Sequence, residues 1–312
     1  LEVYLKELFK LIDSRVKIVL LNRKTGSNNP IPILKLHYYL LKFKTSVIHC
    51  HNYNLDRLLV MMFNWNLVLT IHGFHRPITK INKYKKVIAI SEAIAKDLKD
   101  KGIANIELIY NGIIPEKIKR KDSFNRNIQI ACIGRLVHET KGQDQLMYAL
   151  SLIKDKDLMP TLHLIGGGSS LVFLKQLALD LNISDKVIFH GARSRKELYG
   201  SIHSYDIIVQ PSVHEGFGLT VVESMVAKVP VIVSNMPSFQ DISQYGKYAV
   251  IVGENTVESL CQTILSLIEQ VRFSRYSLSI ELNSACNYAS SNFSLEKTCI
   301  KYMNVYEAIV DQ

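Results

Sequence analysis

Short runs of aliphatic and β-branched residues, each bounded by polar turns, recur along the chain at 16–21 (VKIVLL), 47–50 (VIHC), 67–71 (LVLTI), 87–90 (VIAI), 128–133 (IQIACI), 162–165 (LHLI), 187–190 (VIFH), 206–210 (DIIVQ) and 230–234 (PVIVS). Continuous apolar runs of this length predict strands covered on both faces. Helical spacing of apolar residues falls between them at Gln143 to Ile153, Leu171 to Leu181, Leu219 to Ala227 and Ser259 to Val271, with an opening helix at Glu2 to Ile12. Alternation of strand and helix implies parallel sheets joined by right-handed crossovers, hence an α/β fold. The alternation pauses at Ile113 to Asn127 (IIPEKIKRKDSFNRN), where proline and dense charge replace periodicity, and the interdomain linker is placed at 113–127.

At 312 residues the chain exceeds the size at which single cores stop growing, so two domains are expected. The division is a Rossmann-like domain at 1–112, a second at 128–293, and a closing helix at 294–312 that carries Tyr302 and Tyr306 at helical spacing and crosses back onto the first. Two such domains facing each other would set their strand C-termini around one central cleft, the usual ligand location in open α/β sheets. The near side has fewer strands than such a domain usually contains, and its opening helix has no strand before it.

Composition narrows the class. Cys50, Cys132, Cys261, Cys286 and Cys299 form no CxxC pair and no zinc-spaced cluster, so they read as reduced core residues of a cytosolic protein. The longest apolar stretch, Leu58 to Phe63, is broken by Asn64 and Asn66, far short of the roughly 20 residues of a membrane span. Residues 1–120 hold 21 Lys and Arg against 9 Asp and Glu, a net of +12, whereas 121–312 hold 17 against 19, a net of −2. That asymmetry points the first domain at phosphates, nucleic acid or an acidic membrane, with a solvated basic surface as the alternative. No interleaving of aromatic and basic residues favours nucleic acid.

Three places carry candidate chemistry. After the run at 128–133 come Gly134-Arg135, then Lys141-Gly142, then a helix. An Arg fork and a Lys point charge beside backbone amides suit a diphosphate, though both dipeptides also occur in ordinary turns. The second place is Glu215-Gly216-Phe217-Gly218, with Leu219 opening a helix and Glu223 just over one turn into it. The glycines would let the backbone approach a ligand, the helix start would direct positive potential at it, and Glu223 could accept from a vicinal diol. A solvated carboxylate pair is the alternative. Third, His49 and His51 bracket Cys50 at a strand end. Two ligands without a third make a poor metal site, so packing or acceptor contact is the better reading. Asp155-Lys156-Asp157 has the spacing of a divalent-cation site but sits in a charged turn away from the strand C-termini. Gly166-Gly167-Gly168 lacks the third spaced glycine of a dinucleotide loop. No metal and no cofactor are expected.

Pro211-Ser212-x-x-Glu215-Gly216-Phe217-Gly218 with Glu223 and Pro230-Val231 resembles retaining glycosyltransferase family 4, whose fold is called GT-B. Other pieces agree in order: Thr70-x-His72-Gly73, Ile90-Ser91, Tyr110-Asn111-Gly112-Ile113, Gly134-Arg135-Leu136, Ile165-Gly166-x-Gly168 and Phe189-x-Gly191. The resemblance implies a nucleotide-sugar donor, UDP- or GDP-linked, bound as substrate by the second domain, and a glycan or lipid-linked acceptor on the first. It implies that Arg135 and Lys141 neutralise the leaving diphosphate, that amides near Gly218 and Leu219 support a phosphate, and that Glu223 holds the ribose. Glu215 would hold donor-sugar hydroxyls, His72 would line the reaction centre, and the base would lie between Gly191 and Arg195, with Arg193 among its contacts. Two fixed cations and a helix terminus meet the departing charge, so the chemistry requires no metal.

The family normally opens with a strand and a glycine-rich loop, and this sequence, starting at Leu1, begins after both. That departure keeps a nucleotide-sugar-binding protein without turnover as an alternative, beside a sugar-nucleotide epimerase on the same fold. Lys228 stands where a glycine is common, and Met236 to Asp241 replaces a frequent Gly-Gly-x-x-Glu segment. Both resemble variants among bacterial lipopolysaccharide and capsule enzymes. A cytoplasmic location follows, with Lys83-Tyr84-Lys85-Lys86 offered to the anionic inner-membrane face.

Overall fold

The computed structural model describes residues 19–21, 23, 27–51, 59, 65–74, 81–155 and 157–311. The expected helix Glu2–Ile12, the start of the run at 16–21 and, Leu59 apart, the stretch Leu58–Phe63 lie outside them. Two parallel sheets carry the chain. The first contains β1 (Ile48–Cys50), β2 (Leu67–Ile71), β3 (Lys86–Ala89) and β4 (Ile106–Leu108) in that spatial order. Every residue of β2 is buried, as an unbroken apolar run requires when both faces are covered. The second contains β5 (Gln129–Ile133), β6 (Thr161–Ile165), β7 (Val187–Gly191), β8 (Ile207–Gln210), β9 (Val231–Val233) and β10 (Val250–Ile251), ordered β10-β9-β8-β5-β6-β7. The chain moves outward from β5 through β6 to β7 and then returns to the other side of β5 with β8. Direction therefore reverses between β5 and β8, and the loops that follow these two strands diverge.

Some elements escape the hydrophobic pattern for local reasons. β4 has charged Glu107 at its centre, and β10 is two residues long. The helix Arg275–Asn292 buries Leu278, Leu282, Ala285, Cys286 and Ala289. Small residues make up most of that face, so its contrast with the serines and asparagines around it is low. They are small because the helix packs closely on Leu219–Val226, with Cys286 Sγ 3.4 Å from the Val226 carbonyl. Cys50, Cys132, Cys261 and Cys286 are buried, but Cys299 is exposed, which corrects its expected place in a core.

The chain passes between the sheets twice, at touching points. Ile113 and Ser294 form a parallel bridge, Ile113 N donates to Phe293 O at 2.8 Å, and Leu295 N donates to Ile113 O at 2.7 Å. A Cβ on Gly112 would lie 2.5 Å from the Leu295 Cα, so only glycine lets the crossings meet. The charge-rich segment after the first crossing is partly internal. Lys121 pairs with Asp206 at 2.9 Å, both side chains buried, and Asp206 also accepts from the amides of Asn125 and Gln129. After the second crossing, the helix Leu295–Val310 lays Val305 and Ile309 against Val68 and Ile88 of the first sheet and Ile109 just beyond β4.

A polar latch joins the two halves directly. Asp241, in the helix Pro237–Ile242, accepts from Glu92 N at 2.6 Å and from the Tyr110 hydroxyl at 2.9 Å. Glu92 N is the first amide of the helix Glu92–Asp100, one of the donors that a helix cannot satisfy internally. Burial raises the Asp241 carboxyl from 3.8 to about 6. The folded protein thus holds this proton more tightly than the unfolded chain. The stability Asp241 contributes is full below 3.8 and lost as pH rises through about 6, a change of up to about 3 kcal/mol. Urea midpoints measured across that interval should fall less in Asp241→Asn than in the parent.

Candidate functional site

The strand C-termini of both sheets border an open cleft of about 820 Å³. Its second-sheet wall is built at the divergence between β5 and β8. Gly134 and Arg135 follow β5, and the loop after β8 delivers Glu215, Phe217 and Gly218. Arg135 is exposed in the cleft. Lys141 extends from the short helix His138–Lys141 to Glu215, Nζ to Oε2 2.5 Å. The triple glycine after β6 lets this wall form, because a Cβ at Gly166 or Gly168 would strike the Gly134 or Leu136 carbonyl oxygen at 1.8 or 2.2 Å. Close packing of strand-end loops explains that motif.

The helix Leu219–Val226 begins on Gly218, in the left-handed region at φ 102, with no side-chain cap. Its first amides are presented to the cleft, where Leu219 and Thr220 are lining residues. Glu223, one turn in, is 1% exposed and is paired with Arg195. Burial pushes Glu223 up to about 7, against the opposing pull of Arg195. Arg195 is the first residue of the helix Arg195–Ser201, whose start is fixed by a Ser194–Glu197 capping box. The stretch expected to meet the base runs from Gly191 to Arg195, and its last residue is the one that pairs with Glu223. Arg193 lines the cleft, but its guanidinium is held by His190 Nδ1 at 2.9 Å and Ser201. The readable signal is the capping box S-R-K-E, which places Arg195 at the first position of a helix.

His72, Gly134, Arg135, Lys141, Arg193, Glu215, Phe217, Gly218, Leu219 and Glu223 all border the cleft, whereas Gly191 and Gly216 do not. Gly216 answers a different demand from the one expected. Its Cβ would lie 2.2 Å from the His72 carbonyl oxygen, so the close approach it permits is of one domain's backbone to the other's. Gly218 similarly leaves room for Phe239, 2.7 Å from where its Cβ would be. The Phe217 ring is buried with Tyr110 and Phe293, at centroid distances of 5.9 and 5.6 Å, and works as a packing anchor. The histidines of the first sheet are hydrogen-bonded to one another and to the last helix: His51 Nδ1 to His72 Nε2 at 2.9 Å, and His49 to the Tyr306 hydroxyl at 2.5 Å and to Thr70 Oγ1 at 2.7 Å. Asp155 and Asp157 close a turn on themselves, Asp155 Oδ1 accepting from Asp157 N at 2.9 Å before the N-terminal end of β6.

A family profile described as "Glycosyl transferases group 1" matches residues 114–279, and one described as "Glycosyltransferase Family 4" matches residues 4–117. The chain belongs to this glycosyltransferase family. It is 25% identical over 308 residues to an uncharacterised glycosyltransferase of Methanocaldococcus jannaschii, an alignment covering 86% of this chain and 76% of that protein. It is also 25% identical over 325 residues to an uncharacterised 41.2 kDa protein in the cps region of Klebsiella pneumoniae, covering 95% and 84%. Among solved structures, Anabaena HepE in complex with UDP-glucose superimposes with a TM-score of 0.82 at 19% identity, covering 98% of this chain and 89% of that one. The two-domain α/β arrangement of the glycosyltransferase is thus GT-B.

Removing Arg195 tests the Glu223 pair without reference to catalysis. Arg195→Ala should drive the Glu223 carboxyl further up, leaving it protonated at neutral pH. With the cation gone the folded state holds that proton more tightly still, so the loss of stability should grow as pH rises above about 7, reaching about 1–3 kcal/mol. Denaturation midpoints on either side of that pH check it, and an unchanged difference would show that Arg195 leaves Glu223 unaffected.

Proposed function

We propose that this glycosyltransferase moves a sugar, with retention of configuration, from a UDP- or GDP-linked donor to a glycan or lipid-linked acceptor in bacterial surface-polysaccharide assembly. The observation that carries the reading is the convergence of an uncapped helix start, Arg135, and the Lys141–Glu215 pair on one cleft wall. Those amides and cations face a single volume in which a diphosphate would fit, and charge leaving with it would be met by donors already in place. Lys141 would turn from Glu215 to a phosphate oxygen, and Glu215 would then accept hydroxyls of the sugar. Glu223, neutral or charged according to its Arg195 partner, would hold the ribose diol, and His72 would face the sugar from the first sheet. The surface-polysaccharide role is supported by the alignment with the Klebsiella cps-region protein along 95% of this chain, and a UDP-linked donor by the likeness to UDP-glucose-bound HepE.

A thermal-shift panel of UDP-, GDP- and ADP-sugars tests the donor site, since ligand at a hundred times its dissociation constant stabilises by about 2.7 kcal/mol. One nucleotide class should raise the melting temperature, and no shift with any of them would refute the donor assignment. Glu215→Ala and Lys141→Ala should each lower sugar transfer by about a hundredfold or more while the fold persists. Wild-type rates in either would remove its role, and binding without transfer by the parent would establish the non-turnover alternative.

No helix among the described residues is long and apolar enough to cross a membrane. A peripheral contact with anionic lipid remains part of the proposal, on a different surface from the one the sequence suggested. Tyr84 is buried and Lys86 pairs with Glu107 at 3.6 Å, so Lys83–Lys86 is a poor lipid face. The helix Ile31–Lys42 is a better one. Ile31, Leu34, Tyr38 and Leu41 recur at helical spacing with at least half of each exposed, beside Lys35, Lys42 and Lys44. Replacing Leu34 and Leu41 by serine should weaken sedimentation with phosphatidylglycerol vesicles severalfold. Equal binding of the parent to neutral and anionic vesicles would refute the contact.

A further inference from the structure

The first-sheet wall of the cleft ends in a stack of imidazoles that the donor site leaves unexplained. β1 and β2 lie in parallel register, with His49 opposite Val68 and Cys50 opposite Leu69, so both strands end at the same edge. His49 is immobilised at both ring nitrogens, by Tyr306 on the last helix and by Thr70 on β2. Its ring centroid is 4.3 Å from that of His51, and His51 is 5.2 Å from His72, with planes tilted by 27°. His51 therefore stands between a fixed ring and the residue that lines the cleft.

An Nδ1-to-Nε2 contact of 2.9 Å requires one N–H and one lone pair, so the two rings must take complementary tautomers. If His51 donates, His72 carries its own proton on Nδ1. If His51 accepts, Nδ1 of His72 is bare. The donor or acceptor character of His72 is therefore coupled to that of His51, as second-layer partners of functional imidazoles generally are. Burial lowers His51 below the ordinary imidazole value and takes His49 to about 4, so both of these rings favour the neutral form near neutral pH.

We infer that His51 is a positioning residue for His72, fixing which nitrogen of His72 bears the proton and how that ring faces the transferring sugar. The inference rests on the reading of His72 as part of the reaction centre. His49, itself held by Thr70 and Tyr306, packs its ring on His51, so the final helix, which begins at the second crossing between domains, reaches the wall of the cleft through this stack.

Two substitutions separate positioning from packing. His51→Phe keeps a ring in the stack without a nitrogen, and His51→Asn returns an amide near the Nδ1 position. With the donor chosen by the thermal-shift panel, nucleotide release with acceptor or water should show kcat lowered about 10- to 100-fold in His51→Phe at a donor KM within about twofold of the parent. His51→Asn should recover most of the rate. Ring nitrogen NMR should show the His72 tautomer redistributed in His51→Phe and parent-like in His51→Asn. A parent-like kcat and an unshifted His72 spectrum in His51→Phe, with His72→Ala impaired, would overturn the inference. A full rate in His72→Ala would instead overturn the reading of His72, and the catalytic consequence of His51 with it. Donor-induced thermal stabilisation of each variant reports that it is folded, and should His51→Phe fail that check, His51→Ala takes its place with the same expected and overturning results.

Discussion

The cleft depends on a backbone approach that leaves no space for a side chain. Gly216 faces the His72 carbonyl so closely that a Cβ would sit 2.2 Å from it, and the Ser91 hydroxyl fixes the same loop by donating to the Gly216 carbonyl at 2.9 Å. Glu215 on one side of this contact and Gly218 on the other are thereby placed relative to His72, although they belong to different domains. Asp241 and the double crossing at Ile113 and Ser294 reinforce the approach from farther out. Sub-ångström placement of opposed groups needs this kind of constraint, because a small misplacement costs far more in rate than in stability.

Most of the second sheet was legible in the sequence because its central strands are unbroken apolar runs, and such runs have one physical use in an α/β protein. The glutamate–glycine segment was legible for a different reason: several unusual residues stand at fixed offsets. What could not be read were consequences of pairing at a distance. Nothing near Lys121 announces that Asp206, 85 positions on, buries with it, so the dense charge of the linker gives no sign of an internal pair. Gly216 looked like a ligand-facing glycine since a chain-facing glycine has the same sequence. The pairing of Arg195 with Glu223 has no trace in the sequence because the two lie 28 residues apart, beyond any local period.

The histidines illustrate the same limit from the other side. His49 and His51 are visible in the sequence as a pair on one strand face, too few by themselves for a metal site. The third ring, His72, follows the neighbouring strand, and of the two hydroxyls that anchor His49 one, on Tyr306, comes from the last helix, more than 200 residues later. Sequence periodicity describes one element at a time, whereas this wall is assembled from three.

Net charge and the place of the anion site diverge. The first 120 residues carry the excess of Lys and Arg, which taken alone points the first domain at an anionic partner. Yet the cations in the cleft, Arg135, Lys141, Arg193 and Arg195, all come from the part whose net charge is slightly negative. Opposing them in the cleft are Glu215 and Glu223. Among the described lining residues two of these cations are paired with the glutamates and Arg135 and Arg193 are not, one for each phosphate of a diphosphate. Net charge summed over a domain governs long-range attraction and solubility, and falls off within a Debye length of about 10 Å. Binding of a particular anion is decided inside that distance, by which cations remain uncommitted after the local carboxylates have taken theirs. A basic first domain is therefore compatible with an anion site in the second, and its surplus is better matched to an extended anionic surface, such as the one proposed to meet the helix Ile31–Lys42, than to the donor.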